Sequence, residues 1–150
     1  MRTRWMVLGL IAVGLGLAGC SASAQSAGAG VDTAAESTVR DLPGTDVKQV
    51  TLTARAAERL GIVTVAVGRP APATVVPYSA VLYAPDGSTW VYTVRQPLTY
   101  VREKVAVRVV QGAKGDQAVL SQAPPVGTLI VSTGVVELYG TELGIGSVTE

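Results

Sequence analysis

Histidine is absent from the chain, and with it goes the side chain that most often serves as general base, proton shuttle and metal ligand. No Ser-His-Asp or Cys-His arrangement can be assembled, and no Ser-x-x-Lys motif offers a lysine-assisted serine nucleophile. A metal would have to be held by carboxylates alone. Asp32, Glu36, Asp41, Asp46, Glu58, Asp86, Glu103 and Asp116 are scattered without the spacing of a calcium loop, and Asp86 already has a structural use in a Pro-Asp-Gly turn. Gly14-Leu-Gly16-Leu-Ala-Gly19 matches G-x-G-x-x-G letter for letter, but it lies inside an apolar run and not at a strand-to-helix turn, so it carries no dinucleotide. These residues argue against an enzyme, and they indicate no cofactor and no metal.

The groups left for recognition are rings and cations. Tyr78, Tyr83, Trp90, Tyr92 and Tyr100 could line a small-molecule pocket. With no phenylalanine in the chain, however, these rings must supply most of the aromatic bulk of the core, and core packing is the favoured role. Arg95, Arg102, Lys104 and Arg108 fall at outward strand positions by the period of two. A solvated face is their simplest role, and a surface for a partner is the alternative.

One further residue has distinct chemistry. Cys20 is the only cysteine, and it closes Leu17-Ala-Gly-Cys20 after a basic Arg2 and Arg4 and an apolar run from Trp5 to Leu17. That run is short for a bilayer span and has the layout of a secretory signal. Its last four residues are similar to a bacterial lipobox, in which the cysteine is acylated and becomes the mature N-terminus. The expectation is a signal peptide over 1–19 and a protein exported to the periplasmic or extracytoplasmic side, tethered to the membrane by lipidated Cys20. The formal net charge of +1 becomes −1 once Arg2 and Arg4 leave with the signal, which argues against nucleic acid as a partner. With no second cysteine, no disulfide can form within the chain.

The elements that must position these residues follow in order. Residues 20–46 are rich in Ser, Ala and Gly and read as a flexible linker, with an r.m.s. span on the order of 25 to 30 Å. Val47–Leu52 alternates as a strand, Thr53 caps a short helix that ends at Gly61, and Ile62–Val67 is again a strand. Prolines in Gly68–Ala73 make a junction. Val75–Val94 is the most strongly patterned stretch, two β-branched and aromatic runs around Pro85-Asp-Gly87, which predicts a hairpin with Trp90, Tyr92 and Val94 facing the core. Over Leu98–Val110, Val101, Val105, Val107 and Val109 share a face that Glu103 interrupts, so either a bulge or a late start to core contact is expected there. The Gln111–Asp116 loop returns into Gln117–Ser121. Thr128–Ser132 is continuously apolar and expected to be central. Val135–Tyr139 is too short to assign, and 141–150 reads as a loose tail. The fold class expected over 47–140 is mainly β, a small antiparallel sandwich or barrel-like domain with one short helix.

Two blocks of this domain are similar to a known family, the periplasmic adaptor subunits, or membrane fusion proteins, of tripartite resistance-nodulation-division efflux pumps. The first is Val50-Thr-Leu-Thr-Ala-Arg-Ala-Ala-Glu-Arg-Leu-Gly-Ile62. The second comprises Val76-Pro-Tyr-Ser-Ala-Val81, Asp86-Gly-Ser-Thr-Trp-Val-Tyr92 and Val126-Gly-Thr-Leu-Ile-Val-Ser-Thr-Gly-Val-Val-Glu-Leu138, and it resembles the family's membrane-proximal β-domain. In the family a barrel, a lipoyl-like domain and usually a helical hairpin stand between the blocks, whereas here only Arg69–Ala73 does. The resemblance implies a membrane-proximal domain on a lipid anchor, acting as a non-enzymatic docking subunit for an inner-membrane transporter. A small-molecule or envelope-binding lipoprotein using the tyrosine-rich hairpin is the alternative.

Overall fold

β-branched runs punctuated by glycine and proline divide the chain into strands, and the computed structural model, which describes residues 36–68 and 73–145, shows nine of them with two helices. The strands are β1 (Ser37–Asp41), β2 (Lys48–Leu52), β3 (Val63–Ala66), β4 (Thr74–Pro77), β5 (Leu82–Tyr83), β6 (Thr89–Gln96), β7 (Thr99–Gln111), β8 (Gln117–Gln122) and β9 (Leu129–Thr133). Helix α1 (Ala54–Arg59) lies between β2 and β3, and α2 (Val135–Glu142) follows β9. All described residues belong to the unit Thr33–Glu150. Cys20, the expected signal and most of the expected linker lie outside the described residues, as does most of the proline junction.

Every strand pairing is antiparallel, and the fold is mainly β as the strand pattern predicts. The sheet runs β1-β2-β7-β6-β9-β3, with β5 on β6, β8 on β7 and β4 on β8. The thirteen-residue β7 joins two parts of this sheet. Its first half pairs with β2 and β6, and its second half, from Ala106, pairs with β8. Register shifts at Ala106/Val107 and Val107/Val109 mark the passage between them, as expected of bulges, which redirect a strand. The irregularity expected near Glu103 therefore falls a few residues later. Glu103 itself stays in register opposite Val91 and pairs with Arg95 at 3.3 Å.

Alternation gives the sheet two buried faces. On one, Val50, Leu52, Tyr92, Tyr100 and Val131 pack with Ala56 and Ala57 of α1 and Val135 and Leu138 of α2. On the other, Val91, Val105 and Ile130 pack with Val76 of β4 and Ala118 and Leu120 of β8. The two halves of β6 alternation are thus both covered, and the expectation of a single core wall is too narrow. Thr93, on the second face, is fully buried and donates its hydroxyl to the Val101 carbonyl at 3.1 Å.

Local chemistry explains the element ends. Thr53 Oγ1 accepts the Ala56 N–H at 3.1 Å, capping α1 as expected, and Gly61 takes the left-handed conformation that ends it. The hairpin around Pro85-Asp-Gly87 forms, but β5 contributes only Leu82 and Tyr83 to it. Pro77 has no N–H to donate, and the 3-10 turn Tyr78–Ala80 breaks the run, so Val75 and Val76 pair with β8 instead. Ser37–Asp41, expected within the linker, is an edge strand on β2, with Val39 packed against the first core. The expected linker composition hid this strand because a single valine supplies its whole apolar face.

Candidate functional site

Helix α2 begins at Gly134, whose φ of 84° only glycine adopts at low cost, and it continues past the point where the glycine-rich pattern suggested a loose tail. Val135, Leu138 and Glu142 are its buried residues. They sit at i, i+3 and i+7, one face of a helix. A carboxylate on the apolar face must be satisfied, and Glu142 is. Arg102 Nε–H donates across both of its oxygens at 2.9 Å, the Tyr92 hydroxyl donates to Oε2 at 2.5 Å, and the Lys48 backbone N–H donates to Oε1 at 3.3 Å. The side chains of Glu142 and Arg102 are only 1% and 12% exposed. Burial, followed by the hydrogen bond to Glu142, pushes the Tyr92 phenol well above its ordinary range, so it stays protonated and serves as a donor.

The same arginine is stacked between rings. Its guanidinium carbon lies 4.8 Å from the Trp90 ring centroid and 5.5 Å from that of Tyr139. Strand pairing explains the arrangement: Tyr92 is opposite Arg102 and Trp90 is opposite Lys104, so all four share the face that α2 covers.

Trp90, Arg102 and Tyr139 form the floor of an open groove of about 650 Å³. One wall is the loop Gly44–Val47 between β1 and β2, and the other is the turn Ala84–Ser88 between β5 and β6. The volume is that of a ligand pocket. On the second wall a chain of hydrogen bonds fixes Asp86. Trp90 Nε1–H donates to Ser88 Oγ at 2.6 Å, the Ser88 hydroxyl donates to Asp86 Oδ1 at 2.6 Å, and the Ser88 N–H donates to the same oxygen at 2.9 Å. The bonds from Ser88 hold the Asp86 carboxyl below its ordinary range. Asp46 stands on the opposite wall.

No protein-family model, curated protein or solved structure matches the chain.

The four cations expected to form one partner surface do not come together. Arg95 is exposed and paired with Glu103 on the second face of the sheet. Arg102 is not a free surface cation, because its largely covered side chain lies against two rings and pairs with Glu142. Lys104 is exposed beside Trp90, its Nζ 5.9 Å from the ring centroid, and Arg108 is exposed beyond the register shift of β7. Of the rings, Tyr92 and Tyr100 are buried in the core, while Tyr78 and Tyr83 are exposed with centroids 6.0 Å apart. Sequence reasoning missed Glu142, Tyr139 and Asp46. The spacing of Val135, Leu138 and Glu142 was the available signal for the first. Nothing local pointed to the other two.

Proposed function

We propose that the chain is an exported lipoprotein, tethered to the membrane through Cys20, whose β-domain serves as a non-enzymatic docking subunit on the extracytoplasmic part of a transmembrane transporter of the efflux type. The observation that supports this reading is how the two family-like blocks assemble. The first supplies the end of β2 and all of α1, and the second supplies the end of β4, the first half of β6, all of β9 and the first turn of α2. Residues of both blocks meet in one core, Leu52, Ala56 and Ala57 with Tyr92, Val131, Val135 and Leu138. A membrane-proximal domain can thus close on itself across a five-residue junction in place of the family's middle domains. Tethering by one acyl-modified residue suits a subunit that acts beside a membrane partner.

Crosslinking in intact membranes followed by mass spectrometry tests the reading: recovery of a transporter subunit is expected, and its absence overturns it. For the anchor, Cys20→Ser should abolish fatty-acid labelling and release the protein from the membrane fraction. A second reading, a small-molecule or envelope-binding lipoprotein, is favoured by the size of the groove at Trp90. It requires ligand-dependent quenching of Trp90 fluorescence, which core packing alone would not give.

A further inference from the structure

Resting on the docking function proposed above, we infer that the groove between the Gly44–Val47 loop and the Ala84–Ser88 turn receives a basic side chain, lysine or arginine, from the partner protein. Charge decides the class of occupant. The ion pairs among the described residues engage Asp41, Glu36, Glu103 and Glu142, and the wall carboxylates Asp46 and Asp86 are in none of them. Both bonds from Ser88 go to Asp86 Oδ1, so Ser88 does not occupy Oδ2, the oxygen offered to a donor from outside. Arg102, the cation on the floor, is already matched by Glu142 and presents no uncompensated charge to repel a second cation. Lys104 attracts Asp86 from outside ion-pair distance, across the neighbouring depression that both line, and does not itself line the groove.

The competing occupants fit less well. An anion would face two carboxylates, and to reach a cation it would have to take Arg102 from a carboxylate that is 1% exposed and also binds Tyr92 and the Lys48 N–H. A wholly apolar segment would cover Asp46 and Asp86 and leave both charges unpaired, at a cost no apolar contact offsets. A lysine or arginine gives the carboxylates their partner, and its methylene stem can lie along Trp90 and Tyr139.

The experiment places a benzophenone amino acid at Thr45, exposed on the groove's lip, and separately at Val110, exposed on the far half of β7, in the full chain expressed in intact cells. Adducts at Thr45 to a transporter subunit are expected, with lysine or arginine in the crosslinked peptide. The pair Asp46→Asn and Asp86→Asn should cut their yield about tenfold, because a charged interfacial bond loses its charge. Asparagine at 86 can still accept from Ser88, and an unchanged unfolding midpoint excludes misfolding as the cause. The pair Asp46→Glu and Asp86→Glu should restore much of the yield. Adducts insensitive to the asparagine pair, a crosslinked peptide without a basic residue, or adducts to a second copy of the chain would each overturn the inference. Adducts at Val110 with none at Thr45 would overturn it while leaving the docking function standing, and adducts at neither position would count against both.

Discussion

Glu142 is one carboxylate that three elements depend on, since it takes donors from β2, β6 and β7. Removing one partner of a buried ion pair leaves the other charge without compensation, which is worse than replacing both. Glu142→Ala should therefore lower the unfolding free energy by about 3 kcal/mol in urea titration, the scale measured for broken buried pairs. Glu142→Gln should cost about half of that, because the amide oxygen still accepts from Arg102 or Tyr92. The Tyr92 phenol gives a pH dependence with a definite sign. The folded state keeps the phenol protonated above the value of 10.0 at which it ionises in the unfolded chain. Its contribution is thus fully present below pH 10 and lost as pH rises above it, by roughly 1.4 kcal/mol for each pH unit. Tyr92→Phe should flatten the alkaline limb of the stability profile, and Tyr100 and Tyr83, whose phenols burial also pushes up, should contribute to what slope persists. Little of this cluster was legible beforehand. Arg102 and Glu142 are separated by 40 positions in the chain, and alternation could place Arg102 on a face without saying that a helix covers that face.

Among the elements, α2 depends most on a single backbone position. A Cβ at Gly134 would collide with Ile62 Cδ1 and stand 3.0 Å from the Leu60 carbonyl, at a φ that side chains rarely adopt. Gly134→Ala should cost about 1–3 kcal/mol from strain and crowding together. It should also weaken Glu142's contacts, visible as a parallel loss of α2 amide protection in hydrogen exchange. The legibility of the elements tracks how much each relies on its own residues. β2, α1, β3, the Pro85-Asp-Gly87 turn, β7, β8 and β9 could all be read from alternation, a threonine cap and glycine stops. β1 and α2 could not. Each has an ordinary or polar local pattern and is fixed by what it packs on, β1 by pairing with β2 and α2 by the apolar face of the sheet.

At the scale of the molecule, one sheet walls two cores, with neighbouring residues such as Val91 and Tyr92 pointing into opposite ones. Neither core can loosen without exposing the back of the other, so a single cooperative transition is expected. Leu138→Ala in the first core and Leu120→Ala in the second should each destabilise by about 2–5 kcal/mol. Both should shift the same transition whether it is followed by far-ultraviolet circular dichroism or by Trp90 fluorescence; resolved transitions would show the cores to be independent. The antiparallel β class was evident from the spacing of strands and turns, whereas the second layer depends on where β7 changes register, which no local pattern announces. That long strand also bears on the route to the native state. β6 and β7 are joined by only Pro97 and Leu98, whereas β2 must cross some fifty positions to reach β7 and β9 some forty to reach β6. Loop closure makes the near pairing the cheaper first event. Conservative truncations in the β6–β7 hairpin should accordingly slow refolding, with φ-values well above those in β1 and α2, where the same loss should mainly speed unfolding.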